Sequence, residues 1–471
     1  MVAMERHHET RARQEGRAAP DDHAGLPKPR RLWAIIAISF GTSLLVIDGS
    51  IANVALPTIA RDLGVSEAAV TNVVTVYQLV LVMLLLPFSS LGDRLGHRRL
   101  YQIGQALFMA ASAACFFADN FVVLLLLRAV QGIGAAMALS VSAAMLRQIY
   151  PANRLGTGMG VNSVIVASSA ALAPTLGGYI VGHLPWQTIF VAAAPMAIIS
   201  LLLGRALPEP EPQDRPSQWR SATLSALTML LLVGGIQLGT HDALILGIVG
   251  FALGILALLF LIRRERHRDA PVFPVDLLAK PVIGLSALAN FASFISAGAL
   301  MLGLPFRLET GMGYEPQTVG LLLLPFPLTM LVVSPLAGWA SDRIAATKLG
   351  VTGMTIAIVG LLLLATMPDQ PGEWGIAWRL SLTAMGFGLF FSPNSRLLIG
   401  RAPRDRAAAA GGLLSTARLF GQTMAAVVIG IVLASGMGLG PVPLYVSCAL
   451  AVLAALASLA RFSQRDNPAN G

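Results

Sequence analysis

The chain has 471 residues, of which 55% are hydrophobic and 12% charged, against roughly 25% charged in soluble domains; its mean hydropathy is +0.71. That balance excludes an ordinary soluble domain. The formal net charge of +9 is spread over short connecting segments and forms no separate basic domain, so no nucleic-acid partner is implied.

Residues 1–31 are polar and charged and predict a disordered tail. The apolar run that follows is a full span without a small-residue cleavage site, so it is not a secretory signal. Fourteen apolar runs then succeed one another, near 32–57, 71–91, 100–118, 121–146, 157–181, 187–207, 221–240, 243–262, 281–306, 317–340, 349–367, 375–398, 407–434 and 441–461. They suit the length needed to cross about 30 Å of hydrocarbon. The predicted fold class is an all-α polytopic membrane protein in a lipid bilayer. Loops after the even-numbered runs hold most of the Arg and Lys, among them Arg94, Arg98, Arg99, Arg343, Lys348 and Arg401. The bias places those loops, and both termini, on the cytoplasmic side.

Two stretches break the rhythm. PEPEPQDRPSQWR (208–220) reads as a Pro-rich linker, and 263–280 as a longer loop; they bracket an extra helix pair at 221–262. Six runs remain on each side, at 32–207 and 281–461, with a short tail at 462–471. The two blocks echo each other: PFSSLGDRLGHRR follows the second run and SPLAGWASDRIAATK the tenth, placing Asp93-Arg94 and Asp342-Arg343 at equivalent turns. Internal repeats of this kind surround a central site in secondary transporters.

Within the first run, LLVIDGSIANVALP carries Asp48, an acid at a depth where a charge costs about 2.5–3.5 kcal/mol. It lies about nine residues from the run's outer end, roughly 13 Å at 1.5 Å per residue. The antiparallel fourth run carries Arg128 at similar depth. Burial disfavours the aspartate's charge and a guanidinium favours it, so the pair reads either as a structural ion bridge or as a proton site. Small residues Gly41, Ala52 and Ala55 share the face of Asp48, and Pro57 leaves the Asn53 carbonyl without a helical partner. In the fifth run Ser169, Ala173 and Gly177 stack at four-residue spacing, and Pro174 invites a bend. All seven histidines fall outside the runs or at their ends, and no HExxH, phosphate-loop or CxxC motif occurs. No enzyme chemistry, metal or cofactor is expected. Cys115 and Cys448 fall inside runs and predict no disulfide.

These motifs resemble the major facilitator superfamily, specifically its fourteen-span drug:proton antiporter branch. IDGSIANVALP resembles the first-span signature through Asp48, Asn53 and Pro57. SLGDRLGHRR resembles the loop between spans two and three through Asp93, Arg94, Gly96, Arg98 and Arg99. RAVQGIGAAM is similar to the fourth-span motif, with Arg128, Gln131, Gly132 and Gly134. APTLGGYI resembles the fifth-span antiporter motif through Pro174, Gly177 and Gly178, and STARLFGQTMAA the penultimate span through Arg418 and Gly421. Departures include Ser89 and Ala173, each where the family usually has Gly.

The resemblance implies a major facilitator fold of two six-helix bundles plus a central helix pair, in the cell membrane. It assigns proton coupling to Asp48 with Arg128 modulating it. A cytoplasmic latch falls to Asp93, Arg94, Gly96, Arg98 and Arg99, with Asp342 and Arg343 at the repeated turn, and a bending bundle interface to Pro174, Gly177 and Gly178. The expected activity is export of small amphipathic compounds in exchange for protons; an uncoupled facilitator, a metabolite importer and a receptor are the alternatives. Candidate cavity residues are Asn53, Tyr77, Gln78, Gln131, Asn162, Asn290, Phe291, Phe294 and Arg418. Glu309 and Glu315 are expected to be solvated loop charges at the outer mouth.

Overall fold

The computed structural model describes residues 25–150, 155–208, 219–240, 244–266, 275–341, 343–368, 371–402 and 407–463. Most of the expected tails, the 208–220 linker and much of the 263–280 loop therefore lie outside the described residues, as does Asp342. What is described is helical throughout. The long helices are α1 (Lys28–Leu63), α2 (Asn72–Leu95), α3 (His97–Cys115), α4 (Phe121–Ile149), α5 (Leu155–His183), α6 (Ala194–Leu203) and α7 (Trp219–Thr240). They continue with α8 (Leu244–Glu265), α9 (Pro281–Phe306), α10 (Pro325–Ala340), α11 (Ala346–Ala365), α12 (Gly372–Gly400), α13 (Ala407–Ala434) and α14 (Val442–Ser463). A short helix, Pro316–Leu323, leads into α10; Pro325 and Pro327 lack the amide hydrogens that would fuse the two.

Local chemistry sets several boundaries. α1 starts behind Pro27, with a proline-compatible first turn, and ends at Gly64 in the left-handed conformation (φ 63°). Asn120 caps α4 by accepting from the Val122 amide at 2.8 Å. Gly96, between α2 and α3, has φ 92°, which is why the tight turn of the GDRLGHRR motif needs glycine there.

Ten helical stretches among the described residues are long and apolar enough to cross a membrane. Of the helices described along their whole length, α3 and α12 do not meet that standard; polar side chains such as Gln105, Arg379 and Asn394 dilute their apolar runs. Apolar side chains also cover the outside of the molecule. On α8, Ile245 is 78% exposed and Leu246 64%, a surface for lipid rather than water. The chain is an integral membrane protein.

Helix packing repeats. α1 packs on α4, α5 and α6, α4 on α2 and α3, and α3 on α6. Every one of these pairings recurs eight helices later: α9 packs on α12, α13 and α14, α12 on α10 and α11, and α11 on α14. The two sets meet through α2 against α13 and α5 against α10, which are themselves equivalent under the same shift. α7 and α8 pack on each other, and α7 leans on α2 and α13 at this junction.

The starts of α1 and α9 and the ends of α4, α6, α12 and α14 share one face. The Leu26 amide donates to the Ile149 carbonyl at 3.2 Å, Arg30 to the Ala206 and Leu207 carbonyls, and Arg461 to Asn394 and Ser286. This face carries the Arg-rich turns and is called the basic face below.

Candidate functional site

Asp48, 2% exposed, sits on α1 in the middle of the first helix set. Arg128 of α4, fully buried, donates from Nη1 to Asp48 Oδ2 at 2.8 Å. The same nitrogen donates to Gln131 Oε1 at 2.8 Å, and Arg128 Nε donates to the Val73 carbonyl on α2 at 3.0 Å. Gln131 Nε2 in turn donates to Ser112 Oγ on α3 at 2.7 Å and lies 3.5 Å from Asp48 Oδ1. The guanidinium also stacks 4.2 Å above the Tyr77 ring. A carboxylate, a guanidinium and an amide from α1, α4 and the next turn of α4 thus form one network, closed by α2 and α3. Equal depth on antiparallel helices brings the two charges together; the i, i+3 spacing brings Gln131 beside Arg128.

Burial makes this pair consequential. Removing one member of a buried ion pair costs about 3–5 kcal/mol, because the other charge is left desolvated. The network nonetheless holds unused capacity: Arg128 Nη2 and the Tyr77 hydroxyl are buried without a hydrogen-bond partner among the described residues.

The remaining candidates divide. Gln131 and Tyr77, expected on a cavity wall, are instead packed around the Asp48–Arg128 pair. Asn53 and Gln78 are half-buried, with side-chain oxygens that find no partner among the described residues. Asn290 is fully buried and donates to the Leu414 carbonyl across α9 and α13 at 3.4 Å. Phe291 stacks on Phe420 with centroids 5.3 Å apart, and Phe294 on Phe391 at 4.3 Å. Arg418 is exposed. Asn162 belongs to α5 by position; nothing further is described of its side chain.

At the basic face, Asp93 lies near the end of α2, followed by the exposed Arg94, then Gly96, Arg98 and the exposed Arg99. At the repeated turn, Arg343 stacks 4.2 Å over the Trp339 ring, and Arg396 donates to Ser341 Oγ at 2.9 Å.

The opposite face joins the two helix sets. Gly177 packs against Ile51 of α1. A Cβ on Gly178 would lie 2.7 Å from the Pro316 carbonyl oxygen, and one on Gly320 would lie 2.6 Å from the Pro174 carbonyl oxygen. Pro174 and Gly178 of α5 therefore touch the Pro316–Leu323 helix backbone to backbone, which only glycine permits. Nearby, Arg61 at the end of α1 pairs with Glu309 at 2.5 Å, and Thr58 donates to the same carboxylate at 3.1 Å. Glu309 is 5% exposed, which corrects its reading as a solvated loop charge. The cause is the π turn Arg307–Gly311 after α9, whose widened spiral turns Glu309 inward while Arg307 caps α11 by donating to the Leu364 carbonyl at 3.0 Å. Sequence reasoning missed this pair because a π turn has no local signature and its partner is 248 residues away.

Two helix sets packed alike, with a charged network buried between membrane-spanning helices, define a polytopic transporter rather than an enzyme. The chain belongs to the Major Facilitator Superfamily, whose family model matches residues 38–263, 221–422 and 286–471. It is 40% identical over 447 residues to the uncharacterized transporter YebQ of Escherichia coli (strain K12), covering 93% of this chain and 97% of that one. It is 30% identical over 411 residues to the multidrug efflux pump LfrA of Mycolicibacterium smegmatis, covering 86% and 81%. It is 29% identical over 397 residues to the riboflavin transporter RibZ of Clostridioides difficile, covering 83% and 85%. Among solved structures, an inward-facing bacterial homolog of the human lysosomal transporter Spinster aligns with a TM-score of 0.69 at 16% identity, covering 94% of this chain and all of that one. A D-xylose-proton symporter aligns at 0.67 and 15% identity. At these identities the structures speak for the fold alone.

Proposed function

We propose that the protein is a fourteen-span secondary transporter of the drug:proton antiporter branch, exporting small amphipathic compounds in exchange for protons. The observation that carries the reading is the buried Asp48–Arg128–Gln131 network. In this conformation the aspartate is shielded from both faces and neutralised by Arg128. A rearrangement that wets the site lets Asp48 take a proton and frees Arg128; loss of the proton on the other side restores the pair. One charge falling through 100 mV supplies about 2.3 kcal/mol for this cycle.

In the same reading, 32–207 and 281–461 are the two moving bundles, 208–220 is a linker, 263–280 a cytoplasmic loop, and the α7–α8 pair is peripheral to the transport core. The basic face is cytoplasmic, in the cell membrane, and Asp93, Arg94, Arg98 and Arg99 latch the bundles there. The multidrug pump among its relatives supports an efflux role, and the riboflavin transporter keeps metabolite transport as the second reading.

Purified protein in liposomes carrying a pH dye separates the two. With candidate compounds on one side, an exchanger gives compound-dependent proton movement that follows an imposed pH gradient. An uncoupled facilitator moves the compound with no proton signal, and a receptor moves neither.

A further inference from the structure

We propose that Arg418 is the docking point for an acidic group on the cargo, so that the transporter favours aromatic anions; this rests on the export reading above and names its substrate class. Arg418 is the twelfth residue of α13, about 17 Å along the helix from its start at the basic face, hence near mid-membrane. It is exposed, and no hydrogen bond, ion pair or ring contact engages it among the described residues. The buried guanidinium groups among the described residues are all committed: Arg128 to Asp48, Arg307 to the α11 carbonyls and Arg461 to Asn394 and Ser458.

Exposure along α13 runs from near its start at the basic face to Arg418 and is interrupted beyond it. Gly412 and Ser415, nearer the start of α13, are exposed as well, whereas Ala425 and Ala426 beyond it are fully buried and Gly430 packs on Thr71, just before α2. The opposite face is joined by Gly178 against Gly320 and by Arg61 with Glu309. Arg418 therefore lines a recess that opens on one side only.

The charge balance of that recess is positive. Asp48 is already paired with Arg128, and the other acids on described helices and turns, from Asp62 and Glu67 to Asp276 and Glu309, lie toward one face or the other. A bare guanidinium in a recess of low dielectric attracts a carboxylate or other oxyanion, which its fork can hold through two parallel hydrogen bonds. A ring surface is next to it. Gly421, one turn beyond Arg418, sits close enough to α9 that its Cβ would lie 2.8 Å from Phe294 Cβ, and half-buried Phe294 stacks on half-buried Phe391 of α12. An acid joined to a flat aromatic body matches both features.

The test is equilibrium binding to full-length protein in detergent at fixed pH, with no gradient. It compares 2-naphthoate with naphthylmethylammonium on wild type, Arg418→Gln, Arg418→Lys and Asp48→Asn. The proposal expects wild type to prefer naphthoate by about tenfold or more and Arg418→Gln to lose about tenfold of that affinity. Arg418→Lys is expected to keep part of the preference; Asp48→Asn, which unpairs Arg128, is expected to leave the Arg418→Gln loss in place when the two are combined. Equal or tighter binding of the ammonium by wild type overturns the proposal, as does an unchanged naphthoate affinity in a folded Arg418→Gln. Should Arg418→Gln not fold, the wild-type preference and Arg418→Lys decide, because an unweakened anion affinity in the lysine variant contradicts bidentate capture. Proton exchange plays no part in this measurement, so its failure leaves the antiport reading standing, and failure of antiport in liposomes leaves this one standing.

Discussion

At the scale of single residues, the decisive fact is that Asp48 and Arg128 have each other and little else charged. Arg128 Nη1 bridges Asp48 and Gln131, so Arg128→Gln strands a carboxylate in the helix core. The expected loss is about 3–5 kcal/mol, read as a marked fall in melting temperature. Asp48→Asn combined with Arg128→Gln should recover much of it, since no net charge is then left buried; an additive double variant contradicts the pairing. Gln131→Ala leaves Ser112 and one guanidinium hydrogen unsatisfied and should cost about 1–3 kcal/mol. The pair itself was legible in the sequence, because counting rise per residue on two antiparallel runs puts both charges at one depth. The roles of Tyr77 and Gln131 were not, since their direction around the helix depends on how α2, α3 and α4 lean together. Glu309 was misread for the same kind of reason: the π turn that buries it is a tertiary outcome, not a sequence pattern.

At the scale of elements, the contact that brings the two helix sets backbone to backbone at the face opposite the Arg-rich turns is α5 against the Pro316–Leu323 helix. Small residues at four-residue spacing on α5 (Ser169, Ala173 and Gly177) marked that helix as one that approaches a neighbour closely, but nothing local identified Gly320 as the partner of Gly178. Their backbones touch at distances that exclude a Cβ. Gly178→Val should force the helices apart at the face opposite the Arg-rich turns. Labelling of Thr175→Cys by an impermeant maleimide from that face should rise severalfold against the Gly178 parent. The native Cys115 and Cys448 are buried and give a low background. No increase means the contact does not close that face.

At the scale of the whole molecule, the repeat glimpsed in two Asp-Arg turns extends to the packing, in which the main helix pairings of α1–α6 recur in α9–α14. Hydropathy located the helices well but not their individual fitness as spans. Helices such as α3 and α12 spend part of their length on polar groups that other helices, rather than lipid, cover. A transporter built this way alternates by rocking one set on the other, and Arg61–Glu309 spans the two sets at the closed face. Arg61 is 61% exposed on its side chain, so the bridge holds at most about 1 kcal/mol, a population shift of about fivefold. Glu309→Gln should therefore lengthen distances between spin labels on α1 and on the Pro316–Leu323 helix in a modest fraction of molecules, and an unchanged distribution excludes a gating role.

The measurement that reaches the central claim most directly is a comparison of wild type with Asp48→Asn in liposomes, following cargo and protons together. The account predicts that wild type releases protons as cargo moves, while Asp48→Asn still exchanges labelled for unlabelled cargo but shows no linked proton movement. Proton movement of undiminished size in Asp48→Asn would contradict it, and the buried pair would then be a brace between helices rather than the coupling site.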